Sequence, residues 1–372
     1  MLPRHVYVHV PFCARRCTYC DFAIAVRARV PAAEYVDAVA RELALRFPGS
    51  DPWPVDTLYF GGGTPSKLGA EGVALLVETL RQRLSIAPGA ELTLEANPED
   101  VTVAGARAWR AAGINRLSIG SQSFDDRVLA WMHRTHDAAG IERAVGEARA
   151  AGITDLSLDL IFALPPEIPR DWERDVDAAL RLAPTHLSLY GLTVEPAAPL
   201  GRWRARGIIT EAPEERYERE FLHAHRALTA AGFEHYEVSN FARRGRRARH
   251  NSSYWTGEAY AGLGPAAHEL MNGERRWNVA GYVAWRDRLA SGADPIEGSE
   301  RLTAENRAAE QVYLGLRTDA GLGVAGAELG HIRPWLEAGW GSLRQDGRLV
   351  LSPQGWLRLD SLAADLTLSR SR

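Results

Sequence analysis

The chain has 372 residues and a formal net charge of −3, and 46% of its residues are hydrophobic while 24% are charged. Since domains usually run to about 100–200 residues, the length predicts one large domain with a smaller one attached, and the near-neutral charge excludes a general electrostatic attraction to nucleic acid or anionic lipid. Because no apolar run reaches the roughly 18 residues of a membrane span and the N-terminus has no signal-peptide pattern, we expect a cytoplasmic protein.

Short apolar runs rich in β-branched residues alternate six times with longer amphipathic stretches. Such alternation predicts βαβ units and therefore an α/β fold with a parallel sheet. Six units are too few for a closed eight-stranded barrel, so we predict a partial (β/α)6 barrel, with a doubly wound sheet as the alternative. Either fold places its functional site at the carboxyl ends of the strands. The six runs are residues 6–10, 56–62, 92–97, 116–123, 155–162 and 186–192.

The sequence changes in character at about residue 295, where helix-like segments surround a predicted hairpin, RLVLSPQGWLRL, at residues 348–359. Helices beside a hairpin predict a small α+β domain of the winged-helix kind. This domain is not strongly basic, so we expect a packing or lid role and no nucleic-acid partner. The predicted divisions are residues 1–235 for the barrel with the cysteine loop, 236–295 for a connecting segment and 296–372 for the C-terminal domain.

All three cysteines of the chain lie in one polar, basic loop after the first predicted strand. Cys13, Cys17 and Cys20 have the spacing C-x3-C-x2-C, which is too tight for a disulfide framework. The alternatives are buried free thiols, a zinc site and an iron–sulfur cluster. Structural zinc takes four ligands, and no further ligand pair follows nearby. Three thiolates on a 4Fe-4S cluster would leave one iron open to another ligand.

The cysteine loop, together with the glycine-rich GGGTP of residues 61–65 after the second strand, resembles the radical S-adenosylmethionine superfamily. This resemblance implies a partial (β/α)6 barrel, a 4Fe-4S cluster, and S-adenosylmethionine that chelates the open iron and is cleaved to a 5′-deoxyadenosyl radical. Further strings extend the resemblance, over roughly residues 5–270, to the oxygen-independent coproporphyrinogen oxidase family: YVHVPFC, YFGGGTPS, LEANPE, IGSQSF, LDLIFALP and RHNSSYW.

The family's functional residues carry over to the positions of this chain that match its motifs. The cluster ligands match Cys13, Cys17 and Cys20. Positions that hold S-adenosylmethionine at the cluster match Tyr7, Gly62 and Glu95. Positions that line a second S-adenosylmethionine site in the oxidase match Tyr19, Gly63, Thr64, Gln122, Arg134 and Asp159. Taken alone, GGGTP would indicate only a strand-to-helix turn with positive φ, and Asp159 only a carboxylate at a strand end.

Two departures separate the chain from the oxidase. Phe22 stands where the oxidase has a further cysteine, and the first strand begins by residue 6, without the N-terminal extension of the oxidase. Both departures resemble the HemW-type haem chaperones, relatives that bind haem, transfer it to acceptor proteins and lack oxidase activity. The string HNSSYW at residues 250–255 fits the H-N-x-x-Y-W motif of that branch. The resemblance therefore favours a haem chaperone, and oxygen-independent coproporphyrinogen III oxidase is the alternative.

The HNSSYW string supplies the candidate haem contacts. We predict His250 as an axial ligand, with Asn251 beside it, because imidazole commonly binds haem iron. Tyr254 and Trp255 offer flat apolar contact to a porphyrin face. The arginines just before the motif form either a solvated basic loop or a partner for haem propionates. They are Arg243, Arg244, Arg246, Arg247 and Arg249.

The resemblance also implies partners. These are haem, haem-accepting proteins and an electron donor for the cluster, with transient contact to membrane-bound respiratory enzymes. No catalytic residue is assigned, and enzymatic activity is left open between the two candidate functions.

Overall fold

The computed structural model describes residues 2–49 and 51–371. Its strands are β1 (His5–Val10), β2 (Phe12–Cys13), β3 (Ala25–Val26), β4 (Trp53–Gly62), β5 (Leu84–Ala96), β6 (Arg116–Gln122), β7 (Asp155–Phe162), β8 (His186–Gly191), β9 (Glu234–Glu237), β10 (Asn240–Ala242), β11 (Tyr260–Leu263), β12 (His268–Met271), β13 (Glu274–Asn278), β14 (Ile296–Arg301), β15 (Leu322–Gly323), β16 (Gly341–Leu343) and β17 (Arg348–Leu351). Its helices are α1 (Ala32–Arg46), α2 (Gly69–Arg81), α3 (Val103–Ala112), α4 (Asp126–Trp131), α5 (Ala138–Ala150), α6 (Trp172–Arg181), α7 (Pro199–Ala205), α8 (Glu214–Ala230), α9 (Arg249–Trp255), α10 (Tyr282–Ala290), α11 (Ala304–Arg317), α12 (Leu329–Glu337), α13 (Pro353–Trp356) and α14 (Leu359–Arg370). Short 3-10 turns cover Pro65–Leu68, Pro98–Asp100 and Gly326–Glu328.

Six parallel strands form the centre of the fold in the order β1-β4-β5-β6-β7-β8. Their order in the sheet follows their order in the chain, which confirms the partial (β/α)6 barrel and excludes a doubly wound sheet, whose order reverses at a switch point. Each of the six predicted runs coincides with one of these strands, and three of the runs extend one residue beyond the strand end. Strands β4 and β5 begin earlier than predicted, because residues 53–55 pair with residues 84–86 before a register shift.

Among the described residues, the main sheet extends beyond the six predicted strands to twelve strands. On one side β11 pairs with β1 in parallel, and β12, β13 and β14 continue the sheet in antiparallel order. On the other side β10 and β9 follow β8. Residues 236–295 therefore add strands to both edges of the barrel sheet, and the sheet crosses the division expected at residues 235/236.

The C-terminal residues form a separate three-stranded antiparallel sheet, β15-β17-β16, with helices α11 to α14 around it. This is the small α+β domain that the sequence predicts, but its hairpin lies earlier than expected, at residues 341–351. The second half of the predicted hairpin is helical, because the Ser352 hydroxyl accepts the Gly355 N–H and Pro353 begins α13. The domain packs on the barrel partly through an ion pair of Arg317 with Glu237 (2.8 Å).

The main hydrophobic core takes alternate residues of the barrel strands, on the face that packs against the surrounding helices. Val6, Val8 and Val10 of β1 are fully buried, as are Leu58 and Phe60 of β4. Apolar residues recur at every second position of these strands, and this period-two pattern explains why the six were recognisable from sequence. Within residues 2–49 and 51–371, no helix has the length and apolar character needed to cross a bilayer.

One buried carboxylate ties α1 to the extra strands. Glu42 accepts hydrogen bonds from the Gly264 N–H (2.7 Å), the Asn278 amide (2.6 Å), the Trp285 indole (3.0 Å) and the Arg46 guanidinium (2.7 Å). Its side chain is fully buried. A buried charge is tolerated only when its hydrogen-bonding capacity is satisfied, and here four donors satisfy it, one from α1 and three from other segments. Glu42 therefore fixes the segment after β11 against the barrel.

We expect Glu42→Ala to lower the free energy of unfolding by about 3–5 kcal/mol, because it removes the buried acceptor of three donors and one of the two carboxylates that pair with the buried Arg46. Urea denaturation of the purified chain measures this. Asp37→Ala is the matched control, since Asp37 lies on the same helix in an exposed pair with Arg41 and should change stability by no more than about 0.5 kcal/mol. Equal effects of the two variants would contradict the role given to Glu42.

Candidate functional site

The three cysteines lie on a compact loop at the carboxyl end of β1. Cys13 ends the short strand β2, which pairs in parallel with β3, so the loop leaves the barrel and returns beside its own start. Cys13 is buried, whereas Cys17 and Cys20 are half-buried. All three line a cavity of about 430 Å³ at the carboxyl ends of the barrel strands. We call this space the cofactor-side cavity.

Two glycines let the loop after β4 approach the cysteine loop. The Gly63 N–H donates to the Val10 carbonyl (2.8 Å), and a Cβ on Gly63 would lie 2.6 Å from the Pro11 carbonyl oxygen. Gly62 has φ +112°, and a Cβ there would lie 2.6 Å from the His9 ring. Both positions therefore require glycine for steric reasons, which strengthens the interpretation of GGGTP beyond a simple turn.

Hydrogen-bond donors face two of the cysteine sulfurs. The Thr64 hydroxyl lies 3.4 Å from the Cys13 sulfur, and an Arg134 guanidinium nitrogen lies 3.5 Å from the Cys17 sulfur. Arg134 also donates to the Asn97 side chain (2.6 Å) and to the Gly120 carbonyl (2.8 Å). None of these partners is a carboxylate, and the Arg134 Nε has no partner among the described residues.

Arg134 hydrogen-bonds to a thiol and to neutral groups, and the Glu99 carboxylate of the same cavity acts on it electrostatically. A buried cation beside the cysteine sulfurs suits an anionic group, so these residues fit a cluster of iron held by thiolates. Burial raises the pKa of the Cys13 thiol, and it raises the pKa of the Cys20 thiol to about 11. In the metal-free chain these thiols are therefore protonated at neutral pH and must lose protons when they bind iron. Within residues 2–49 and 51–371, no three His, Cys, Asp or Glu side chains are grouped closely enough to hold a single metal ion.

Two carboxylates lie in the wall of the cofactor-side cavity. Glu95 accepts hydrogen bonds from the Tyr59 hydroxyl (2.7 Å) and from the Gly62 N–H (3.0 Å), and burial raises its pKa to about 7. Asp159 accepts the Ser118 hydroxyl (3.0 Å), and burial raises its pKa to about 6. Near neutral pH both groups are partly ionised, so each can exchange a proton for a cationic group of a ligand.

Most of the other predicted cofactor residues border the same cavity. Gln122 ends β6 with φ +66°, an unusual conformation for a residue other than glycine. Phe22, in place of the oxidase cysteine, lines the cavity mouth and is 60% exposed. Tyr7 lies outside the lining, with its hydroxyl 3.1 Å from His9 Nδ1. The predicted residues that line the cavity are Cys13, Cys17, Tyr19, Cys20, Gly62, Gly63, Thr64, Glu95, Gln122, Arg134 and Asp159.

Sequence reasoning missed several polar residues of this cavity. Asn97, Ser118 and Tyr190 all line it, and Asn97 and Ser118 hydrogen-bond to predicted residues. Asn97 could have been found, because it stands two residues after Glu95 in LEANPE and therefore follows the same strand end. Ser118 and Tyr190 carried no motif, and only the parallel register of β6, β7 and β8 brings them here.

The residues predicted to contact haem lie elsewhere. His250, on α9, is beside His5 and Thr57, near the amino end of β1, whereas the cysteine loop follows its carboxyl end. The His250 side chain is 1% exposed, its Nδ1 lies 2.7 Å from the Thr57 hydroxyl, and its Nε2 lies 2.7 Å from the Tyr254 hydroxyl. Because both ring nitrogens are hydrogen-bonded inside the protein, His250 is not available as an iron ligand in this structure.

Tyr254 and Trp255 line a second cavity, of about 860 Å³, between α9, β11 and helices α11 and α14 of the C-terminal domain. We call it the interdomain cleft. Asn251 is half-buried on α9 and is not among the residues that line the cleft. One arginine of the run before the motif already has carboxylate partners within the protein, since Arg247 pairs with Glu234 (2.9 Å) and Asp319 (2.7 Å). The predicted cofactor residues and the predicted haem residues therefore lie at two cavities, at opposite ends of the barrel strands.

Residues 7–179 match the radical SAM superfamily. The chain is 37% identical over 331 residues to the haem chaperone HemW of Synechocystis sp., covering 87% of this chain and 80% of that protein. It is 38% identical over 370 residues to the haem chaperone HemW of Mycobacterium tuberculosis, covering 98% of this chain and 95% of that protein. A solved structure of coproporphyrinogen III oxidase (HemN) from Escherichia coli, a radical SAM enzyme, has a TM-score of 0.83 with 22% identity over 98% of this chain and 90% of that one, which shows a shared fold.

We expect Gly63→Ala to weaken retention of an iron–sulfur cluster by about tenfold or more, because the added Cβ displaces the backbone that carries Cys13. Iron and sulfide analysis after anaerobic reconstitution measures the effect. Gly146→Ala is the control, since nothing lies within 4 Å of a Cβ added there. Full cluster content in Gly63→Ala would show that the close approach of the two loops is not required.

Proposed function

Because this chain belongs to the HemW family within the radical SAM superfamily, we propose that it is a haem chaperone, which binds haem and transfers it to haem-accepting proteins. The observation that carries this proposal is the 38% identity to the Mycobacterium tuberculosis haem chaperone over 98% of the chain. That identity spans both the barrel and the C-terminal domain. The oxidase supports only the fold at 22% identity.

The cofactor-side cavity would hold the family's cofactors. Cys13, Cys17 and Cys20 would bind three irons of a 4Fe-4S cluster. S-adenosylmethionine would complete the coordination of the fourth iron and would supply a sulfonium group that one electron can cleave. Gly62 and Glu95 offer a backbone carbonyl and a carboxylate to its cationic groups. Tyr7 does not line the cavity, so it would influence the bound cofactor through its hydrogen bond to His9 rather than by direct contact.

The residues predicted for a second S-adenosylmethionine border the same cavity, and this second site stays a prediction. Thr64 and Arg134 already donate to cysteine sulfurs, so these two serve the cluster whether or not a second molecule binds. Asp159 is the carboxylate among the residues predicted for this second site, and it accepts hydrogen bonds from serine hydroxyls.

We place haem in the interdomain cleft. The cleft is lined mainly by apolar and aromatic side chains, which suit a flat macrocycle. Tyr254 and Trp255 contribute the aromatic faces that the HNSSYW motif predicts, and Tyr260 and Tyr313 add two more. Arg275 at the cleft, which pairs with Glu310 (2.8 Å), is the guanidinium within reach of a propionate.

The C-terminal domain gains a role from this placement. Its helices α11 and α14 form one wall of the cleft, so the domain covers bound haem, in line with the packing or lid role expected from sequence. The proposal further includes a cytoplasmic location, an electron donor for the cluster, and membrane-bound respiratory enzymes among the haem acceptors.

Haem binding and transfer test the function directly. We expect the anaerobically reconstituted chain to bind haem stoichiometrically, seen as a Soret band, and to pass it to a haem-free globin. With coproporphyrinogen III, S-adenosylmethionine and a reductant, we expect no protoporphyrinogen. Catalytic formation of protoporphyrinogen would assign the oxidase activity instead.

A single charged residue should block the cleft. Leu368 lines it and is 63% exposed, so Leu368→Glu adds a charge against bound haem without disturbing the core. We expect haem affinity to fall by about tenfold, because the free energy of one buried apolar contact corresponds to a change of that size in the dissociation constant. Leu75→Glu, at a 46% exposed leucine on α2, is the control and should bind haem normally. Unchanged affinity in Leu368→Glu would move the haem site away from this cleft.

A further inference from the structure

A buried series of hydrogen bonds connects the interdomain cleft with residues near the amino end of β1. The Tyr254 hydroxyl lies 2.7 Å from His250 Nε2, and His250 Nδ1 lies 2.7 Å from the Thr57 hydroxyl. The Thr57 hydroxyl in turn lies 2.9 Å from His5 Nδ1, and His5 Nε2 lies 2.8 Å from Glu258. Tyr254 and Glu258, at the two ends of this series, both line the cleft.

The His250 ring also supports two tyrosines that point toward the other cavity. Tyr59 stacks on His250 with ring centres 5.1 Å apart, and Tyr7 stacks on Tyr59 at 6.1 Å. The Tyr59 hydroxyl donates to Glu95 in the cofactor-side cavity (2.7 Å). The Tyr7 hydroxyl bonds to His9, whose Nε2 lies 3.0 Å from the Ala23 carbonyl in the cysteine loop. One imidazole is therefore in contact with groups that lead to both cavities.

The hydrogen bonds of His250 can run in two directions, according to its tautomer. Burial lowers the pKa of His250 to about 3, so its ring is neutral and has one donor and one acceptor nitrogen. If Tyr254 donates to Nε2, then Nδ1–H donates to Thr57; if Tyr254 accepts, Thr57 must donate instead. A change of direction at the cleft therefore reverses the hydrogen bond on the opposite side of the ring. Close packing leaves little room for the ring to move without moving Tyr59.

We propose that His250 is a positioning residue that couples the two cavities, so that haem against Tyr254 changes the affinity of the cofactor-side cavity for S-adenosylmethionine, and the reverse. This inference rests on the proposed function, which supplies both ligands. Thermodynamic linkage requires the same factor in both directions. A factor of about five or more is the usual size of such coupling.

The test uses the full chain after anaerobic reconstitution of its cluster. Equilibrium dialysis with labelled S-adenosylmethionine is done with and without one equivalent of haem, and haem is titrated with and without saturating S-adenosylmethionine. We expect each ligand to change the affinity of the other about fivefold or more. A wild-type factor of one, with both ligands bound stoichiometrically, overturns the coupling and leaves the chaperone function intact. Failure of the wild-type chain to bind haem overturns the proposed function itself.

Substitutions at Thr57 distinguish coupling from simple structural support, because the Thr57 side chain is fully buried and borders neither cavity. In Thr57→Val the hydroxyl between His5 and His250 is lost with little change of shape, and we expect the coupling factor to fall to near one while both ligands still bind. Thr57→Ser keeps the hydroxyl and should keep the coupling. Full coupling in Thr57→Val would overturn the route through His250.

A second variant keeps the test decisive if Thr57→Val fails to fold. Tyr59→Phe retains the ring that stacks on His250 but removes the hydroxyl that donates to Glu95. We expect its coupling factor to fall below that of the wild-type chain. An unchanged factor in Tyr59→Phe would show that the two cavities communicate by another route or not at all.

Discussion

The close parallel pairing of β1 with β4 is the constraint on which the cofactor-side cavity depends. Val10 pairs with Gly62 at the end of this register, so the cysteine loop and the glycine-rich loop emerge side by side. No Cβ fits at Gly62 or Gly63, and this lack of space puts Thr64 against the Cys13 sulfur. The remaining barrel strands then deliver Glu95, Gln122 and Asp159 to the same rim, because parallel strands end on one side.

The opposite end of the barrel is closed by α9, and this accounts for the chemistry of the HNSSYW motif. Its histidine is internal, held between Thr57 and Tyr254, whereas Tyr254 and Trp255 border the interdomain cleft. Glu91 accepts the backbone N–H groups of Arg249 and His250, which anchors the start of α9 at the sheet. The motif thus combines a structural histidine with an aromatic wall for a ligand.

Burial determines the electrostatics at both ends of the barrel. It raises the pKa of Glu95 to about 7 and that of Asp159 to about 6, which keeps two carboxylates poised near neutrality beside the cysteine loop. It lowers the pKa of His250 to about 3, which keeps that ring neutral between two hydroxyls. The same physical cause therefore prepares one cavity for charged cofactors and maintains a neutral, hydrogen-bonded imidazole behind the other.

The sequence by itself determined the six barrel strands, the cysteine loop and eleven of the residues that line the cofactor-side cavity, because apolar periodicity and short motifs are local properties of the chain. It did not reveal that residues 236–295 extend the sheet, nor that Ser352 and Pro353 begin a helix within the predicted hairpin. The position of His250 was decided only by tertiary structure. An imidazole can bind iron or two hydroxyls, and which partners it meets depends on residues 193 positions apart in the chain, such as Thr57.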